Sequence, residues 1–289
     1  SVDYGENEVF ATRADAEKLL TTLYAEGMPY GFCMSSSNTD RRLLSSSTLA
    51  SACDEGEDVA TWAMGNAAWN AGNHTNTNFP WDEDCRFYLR NHTMRVANLI
   101  LKRIHEVPFD EGDPDFNKRT TGEAYFMRAM LLWEGVYRYG GMPIVREVID
   151  PTDFSQRPRN SFSDCIDSIL IDCDRATQYL PDYYTDNAKL GRATRIAALA
   201  LKARVLLYAA SPLFNTSTPY MSFPGHENLI GYGNYDRERW KKAADAAKAA
   251  IDAALASGHY KIHNTGNPDK DYEEVWTIPD NEEIILGNM

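Results

Sequence analysis

The stretch 122–215 constrains the fold of this chain most strongly, because it contains three long helix-like segments in close succession. Each segment is amphipathic or apolar, and each ends at residues that stop a helix, namely Gly140-Gly141, Pro181 and Pro212. No catalytic signature lies among them. This combination indicates a helical scaffold that holds something, rather than an enzyme built around a reactive centre.

Helical periodicity extends through much of the remaining chain. The spacing of apolar residues predicts six helices, over 12–26, 84–107, 123–139, 164–180, 194–210 and 237–257. Trp240 is placed on the buried stripe of the last one. Helices of this length, with small residues at their contacts and short connections, are typical of tetratricopeptide arrays. We therefore expect an all-α fold, a tetratricopeptide-like helical-hairpin array with long irregular loops.

Charge and hydropathy exclude two classes of partner. The net charge is −13, and no run of Lys and Arg is longer than two residues, which argues against binding to nucleic acid. No apolar stretch approaches the roughly 18 residues that a membrane-spanning helix needs.

The cysteines do not form a metal or redox motif. No C-x-x-C pair occurs, which argues against zinc and thioredoxin-like chemistry. Cys165 and Cys173 fall on the apolar stripe of one predicted helix, so we expect them to be buried as small hydrophobic residues. The sequence leaves open whether any two of Cys33, Cys53 and Cys85 form a disulfide.

Catalytic motifs are missing as well. His105-Glu106 lacks the second histidine of a zinc metalloprotease helix, and there is no G-x-S-x-G, P-loop or G-x-G-x-x-G motif. The acidic clusters 82–84 and 269–274 are interpreted as solvated surface, since a glycosidase needs two carboxylates at a defined separation. We expect no catalytic residue, no metal and no cofactor.

The loop W-N-A-G-N-H-T-N-T-N-F-P-W-D-E-D, at 69–84, is the best candidate for a binding site. Sugar recognition needs flat aromatic faces together with amide and carboxylate groups that bind hydroxyls, and this loop offers both. The candidate ligand-binding residues are Trp69, Asn70, His74, Asn76, Phe79, Trp81 and Asp82. The alternative is that the aromatic side chains fold inward and pin the loop to the scaffold.

The aromatic, Gly-rich loop 220–235 is a second candidate for a binding site. Trp133 and Trp276 are weaker candidates for ligand contact.

An ordered series of motifs resembles the SusD/RagB family. Glu123-Ala-Tyr-Phe-Met-Arg-Ala129, followed by Tyr139-Gly-Gly-Met-Pro143, is similar to the family signature EA-x-F-x-RA … YG-x-x-P. Further similar blocks follow in order at 159–161, 172–181, 191–194, 211–215 and 281–285. The resemblance covers about residues 10–286. Gly135 departs from the family pattern, which has a bulky apolar residue there, and we expect a close helix crossing at this glycine.

The resemblance implies a surface-exposed, lipid-anchored outer-membrane protein of Bacteroidetes-type bacteria. Such proteins bind nutrient oligomers, usually glycans, and act with a SusC-like TonB-dependent transporter without catalysis. We expect residues 1–289 to form a single SusD-like helical domain, the N-terminal, tetratricopeptide-containing part of a longer chain. A peptide ligand remains open. An α/α-barrel glycoside hydrolase is the alternative from another class, and turnover of an oligosaccharide would distinguish it.

Overall fold

The computed structural model of the protein describes residues 5–28, 81–150, 152, 153, 155–278 and 281–287, except for the side chains of 81–90. The described residues form eight α-helices and no strand. The helices are α1 (Glu6–Val9), α2 (Arg13–Gly27), α3 (Trp81–Arg103), α4 (Phe116–Tyr139), α5 (Phe162–Tyr179), α6 (Arg195–Ala210), α7 (Arg237–Ala256) and α8 (Pro268–Thr277). Short 3₁₀ turns occur at Ile104–Glu106, Asn187–Lys189 and Glu227–Leu229.

Helices that follow one another in the chain pack against one another, from α2 through α7. This arrangement confirms the all-α, tetratricopeptide-like fold class. Side-chain caps fix the predicted starts: Thr12 accepts a hydrogen bond from the Asp15 amide at 3.2 Å, and Thr194 accepts one from the Ala197 amide at 3.1 Å. Within the described part of the chain, every helix is too short or too polar to cross a membrane.

The core has two adjoining parts, which share α4. One part buries Leu20 and Leu23 of α2 against α3 and the first half of α4. The other is built on the stacked rings of Phe162 and Phe214, 4.4 Å apart, and on α5. Cys165 and Cys173 are both buried in the second part, which confirms their prediction as small core residues.

A buried arginine links the helices across this core. The guanidinium of Arg128 donates two hydrogen bonds to Asp172 of α5, both 2.8 Å long, and a third to Asn98 Oδ1 of α3 at 2.9 Å. The amide of Asn98 in turn donates to the carbonyls of Val145 and Glu147. Because each buried polar atom finds a partner, α3, α4, α5 and the segment after α4 are held in one register.

Two helices begin three or more residues earlier than predicted. Helix α4 starts at Phe116 rather than at residue 123, because Phe116 and Thr120 are buried in the core although the sequence 116–122 is largely polar. Tertiary packing there outweighs weak helix propensity. Helix α3 starts at Trp81 rather than at residue 84, so Trp81 and Asp82 belong to its first turn and not to a loop.

The C-terminal part differs more from the predictions. Helix α8 was not predicted; Asn267 caps it by accepting a hydrogen bond from the Asp269 amide, and Pro268 occupies the first position. The prediction that the apolar stripe of α7 is buried is wrong. Trp240 and Ile251 are exposed, and Ala243 is the one buried residue of this helix. The stripe faces away from α6, the helix that α7 packs against.

The close helix crossing expected at Gly135 occurs instead at Gly122. A Cβ on Gly135 would meet the flexible side chain of Met142, 3.2 Å away, and no second helix. The close approach of helices occurs at Gly122, where a Cβ would lie 2.7 Å from Leu180 and 2.9 Å from Tyr179. Glycine at position 122 therefore allows α4 to touch the end of α5.

Candidate functional site

The predicted ligand loop lies mostly outside the described residues. Trp69, Asn70, His74, Asn76 and Phe79 all fall there. Trp81 and Asp82 form the start of α3, but their side chains are also outside the description. The assignment of these seven residues to a ligand site stays a prediction, with one refinement: Trp81 and Asp82 are carried by a helix, which is a more rigid support than a loop.

The elements on either side of segment 29–80 are firmly packed. Glu26 at the end of α2 lies 2.7 Å from His92 Nδ1 of α3. At Gly27, an added Cβ would lie 2.8 Å from Met127 and 3.0 Å from Thr93, so α2 approaches α3 and α4 very closely. The end of α2 and the body of α3 are thus fixed to the same core, which provides a rigid base for the predicted ligand loop.

The second aromatic segment, 220–235, has a divided role. Tyr232 is a scaffold residue, since its ring packs edge-on against Phe162 at 5.2 Å and under the Arg239 guanidinium at 3.7 Å. Tyr220, by contrast, is 79% exposed. Other residues of this segment help to line a cavity of about 160 Å³, whose lining is mainly apolar and includes Leu213, Phe214, Pro219, Ile230 and Gly231.

Two further aromatic pairs lie near the surface. Tyr272 and Trp276, one turn apart on α8, are 73% and 75% exposed and have ring centroids 6.3 Å apart. Tyr183 and His259 stack in parallel at 4.7 Å. Trp133 is buried against Tyr137 and Tyr208, so it is a core residue rather than a ligand contact.

Most buried acids are neutralised by an arginine. Asp113 accepts two hydrogen bonds from Arg119, at 2.9 and 2.7 Å, and these bonds lower the pKa of Asp113 to about 2. Asp172 is bound in the same way by Arg128. A carboxylate with a pKa as low as that of Asp113 is a poor general acid at neutral pH. Among the described residues, no cluster of three or more His, Cys, Asp or Glu side chains is arranged to hold a metal ion.

Glu123 is the exception, and the sequence singles it out only as part of the family signature. Its side chain is completely buried, and this burial raises the pKa of Glu123 to about 7, against the opposing effect of Arg192 and Arg119. A carboxyl that titrates near neutrality suits acid–base catalysis in a cleft, but no substrate reaches a fully buried side chain. Glu123 is accordingly part of the scaffold.

Comparisons with known proteins agree with the helical architecture. A family model for SusD-like proteins, described as starch-binding and associating with the outer membrane, matches residues 6–207. A SusD-like protein of Bacteroides fragilis is 25% identical, with a TM-score of 0.66 over 98% of this chain and 45% of its own. No curated protein matches the chain.

Two more distant structures show the same fold. A laminarin-binding SusD-like protein is 18% identical, with a TM-score of 0.64 over 96% of this chain and 51% of its own. A SusD-like carbohydrate-binding protein of Bacteroides vulgatus is 17% identical, with a TM-score of 0.62 over 96% of this chain and 51% of its own. The chain spans about half the length of the solved structures that it matches.

Proposed function

The chain belongs to the SusD-like family, whose members bind starch-like carbohydrate and associate with the outer membrane, and on that basis we propose that it captures a glycan oligomer at the cell surface. In this proposal it passes the glycan to a SusC-like TonB-dependent transporter without transforming it. The observation that carries the proposal is the family match over 6–207, a range that includes the predicted ligand loop.

The ligand surface is proposed to combine stacking with hydroxyl recognition. Trp69 and Trp81 stack on sugar rings, because the C–H face of a pyranose is apolar and packs well on an aromatic plane. Asn70, Asn76 and Asp82 orient the ring hydroxyls, since amides and carboxylates supply complementary donors and acceptors. His74 and Phe79 complete the surface. The rigid α2–α3 base supports this proposal, because preformed sites lose little entropy on binding.

The family description also supports a proposed placement at the outer membrane. We propose that the protein is surface-exposed and held at the outer membrane by a lipid anchor. We also propose that its scaffold helices dock on the transporter. The description of the matching family as outer-membrane-associated supports this localisation.

Native gel electrophoresis through a panel of polysaccharides tests the function. We expect selective retardation in one gel, and loss of that retardation in Trp81→Ala. Trp276→Ala is the matched control, because it removes an exposed tryptophan ring of α8, far in sequence from the predicted ligand loop. Circular dichroism verifies that both variants remain folded.

The other outcomes separate the alternatives. Unchanged migration of the folded protein in every gel would contradict glycan capture and favour a peptide ligand, which calorimetry with a peptide mixture would then reveal. Release of shorter oligosaccharides during incubation would contradict the non-catalytic role. Retardation that survives Trp81→Ala would show that the glycan binds away from the predicted loop.

A further inference from the structure

A fully buried carboxyl lies at the junction of three elements. Glu123 of α4 faces α2 on one side and the connection between α5 and α6, residues 180–194, on the other. From α2, Glu17 and Tyr24 face it; from that connection, Tyr184 and Arg192 do; from its own helix, Arg119 does. These five side chains are the titratable and charged groups around the carboxyl.

Hydrogen bonds to Glu123 are few. Oε1 lies 3.4 Å from the Tyr184 hydroxyl and 3.8 Å from Arg192 Nη1, and Oε2 has no hydrogen-bond partner among the described residues. Ionised carboxylates in protein interiors usually accept several hydrogen bonds, so this environment suits the neutral acid better.

The neighbouring donors are engaged elsewhere. Arg119 is bound to Asp113 through two hydrogen bonds. The Tyr184 hydroxyl donates to the Ala193 carbonyl at 3.0 Å, and Arg192 Nη2 donates to Glu17 at 3.3 Å. Two guanidinium nitrogens, Arg192 Nη1 and Arg119 Nε, are buried without a hydrogen-bond partner among the described residues, and Arg192 Nη1 lies 3.8 Å from Oε1 of Glu123.

A small cavity adjoins this junction. A cavity of about 30 Å³, lined by Tyr184, Arg192 and Tyr260 among others, adjoins the 180–194 connection. Such a volume holds about two water molecules, because one water needs roughly 10–15 Å³ on this measure. A proton that leaves Glu123 therefore has nearby water to accept it.

We propose that Glu123 releases and takes up a proton in the folded protein near neutral pH, and that its ionisation loosens the junction of α2, α4 and the 180–194 connection. The ionised carboxylate keeps one oxygen without a donor, and local opening relieves this cost by admitting water. The contact that would open joins α2 to the connection, where the Ala193 amide donates to the Tyr24 hydroxyl at 2.9 Å.

The electrostatics support the direction of the effect. Burial raises the pKa of Glu123 from 4.5 to about 7. A carboxyl with a raised pKa stabilises the fold fully below its unfolded value, and the contribution disappears as the pH rises through the folded value. The junction should therefore be tightest in mild acid and weakest above neutrality.

Urea unfolding of Glu123→Gln and the wild type between pH 5 and 8 tests this proposal. The amide keeps the shape of the side chain but cannot ionise. We expect the unfolding equilibrium constant of the wild type to rise on the order of 100-fold relative to Glu123→Gln across this range, because the pKa of Glu123 is 4.5 in the unfolded chain and about 7 in the folded protein. Glu273→Gln, at an exposed position of α8, is the control and should follow the wild-type profile.

Parallel profiles for the wild type and Glu123→Gln would overturn the proposal. Amide hydrogen exchange localises the effect: the protection factor of Ala193 should fall above neutral pH in the wild type and stay constant in the variant. If Glu123→Gln does not fold, carbon-13 NMR of the wild type titrates the Glu123 carboxyl directly. A midpoint near 7 supports the proposal, whereas a midpoint between about 4 and 5 refutes it.

Discussion

Arg128 joins α3, α4 and α5 through one guanidinium group. Its removal therefore leaves the buried carboxylate of Asp172 without the hydrogen bonds that this group donates. In Arg128→Met, the core position stays filled but Asp172 loses both of its hydrogen bonds from this residue. We expect a loss of about 3 kcal/mol in the free energy of unfolding, measured with urea. The loss should fall at the lower end of the usual range because Arg146 and Arg175 also lie within 4.0 Å of Asp172.

The exposed ion pair of Lys241 and Asp245 on α7 is the matched control. The Lys241 Nζ and Asp245 Oδ2 atoms lie only 2.6 Å apart, but water screens both of them, so Lys241→Ala should leave the free energy of unfolding almost unchanged. A similar loss for Arg128→Met and Lys241→Ala would show that the buried pair does not hold the helices together. The comparison distinguishes the effect of burial on stability from that of interatomic distance, because the exposed pair has the shorter contact.

At the scale of helices, two glycines of α4 test what the close packing requires. Gly122→Ala should destabilise the protein by about 1–3 kcal/mol, because its Cβ would lie 2.7 Å from Leu180 and force α4 and α5 apart. Gly135→Ala should stabilise it by up to about 1 kcal/mol, because alanine favours the helix and the flexible Met142 can move aside. Urea unfolding measures both, and the same sign for both variants would contradict this account.

The elements also show what local sequence patterns can predict. Helices α2, α5 and α6 lie within two residues of their predicted ends, because capping residues and proline or glycine stops coincide with a regular apolar stripe. The start of α4 was missed because burial of Phe116 and Arg119 depends on distant partners. The exposed stripe of α7 was misjudged for the same reason: periodicity reveals an apolar face but not whether another element covers it.

The site was less accessible to sequence reasoning than the fold. Aromatic and amide residues predict a ligand loop by composition, whereas their geometry depends on how the chain between α2 and α3 is arranged. The role of Glu123 was not predicted because, apart from Arg119 on its own helix, its neighbours come from α2 and from the 180–194 connection, more than 50 residues away in sequence. A glutamate between buried positions of an apolar helix is the signal that could have drawn attention to it.

For the whole molecule, groups with opposite pKa shifts set the pH of maximum stability. The pKa of Asp113 is lowered to about 2 by its hydrogen bonds from Arg119. Its contribution is complete above the unfolded value of 3.8 and is lost as the pH falls through the folded value. Acid therefore weakens the contact between Asp113, before α4, and Arg119 within that helix.

His263 acts on the other side of the profile. Its Nε2 lies 2.7 Å from Glu274 of α8, and its Nδ1 lies 3.2 Å from Glu282 near the C-terminal end of the described chain. These carboxylates, Glu274 first, raise the pKa of His263 above 6.5. The stabilisation is complete below 6.5 and is lost as the pH rises through the higher folded value. Glu123 acts in the same direction.

Stability is lost in acid through Asp113, and it is lost towards alkaline pH through Glu123 and His263. We therefore expect the melting temperature to be highest near about pH 5, at the acidic end of the usual range. Circular dichroism melts from pH 3 to 9 measure this profile. His263→Gln should make the alkaline limb shallower but not flat, since Glu123 still loses its contribution there, and the Asp113–Arg119 contact remains in acid. A maximum above about pH 7 would contradict the expectation, because the raised pKa values of Glu123 and His263 both require stability to decline before that point.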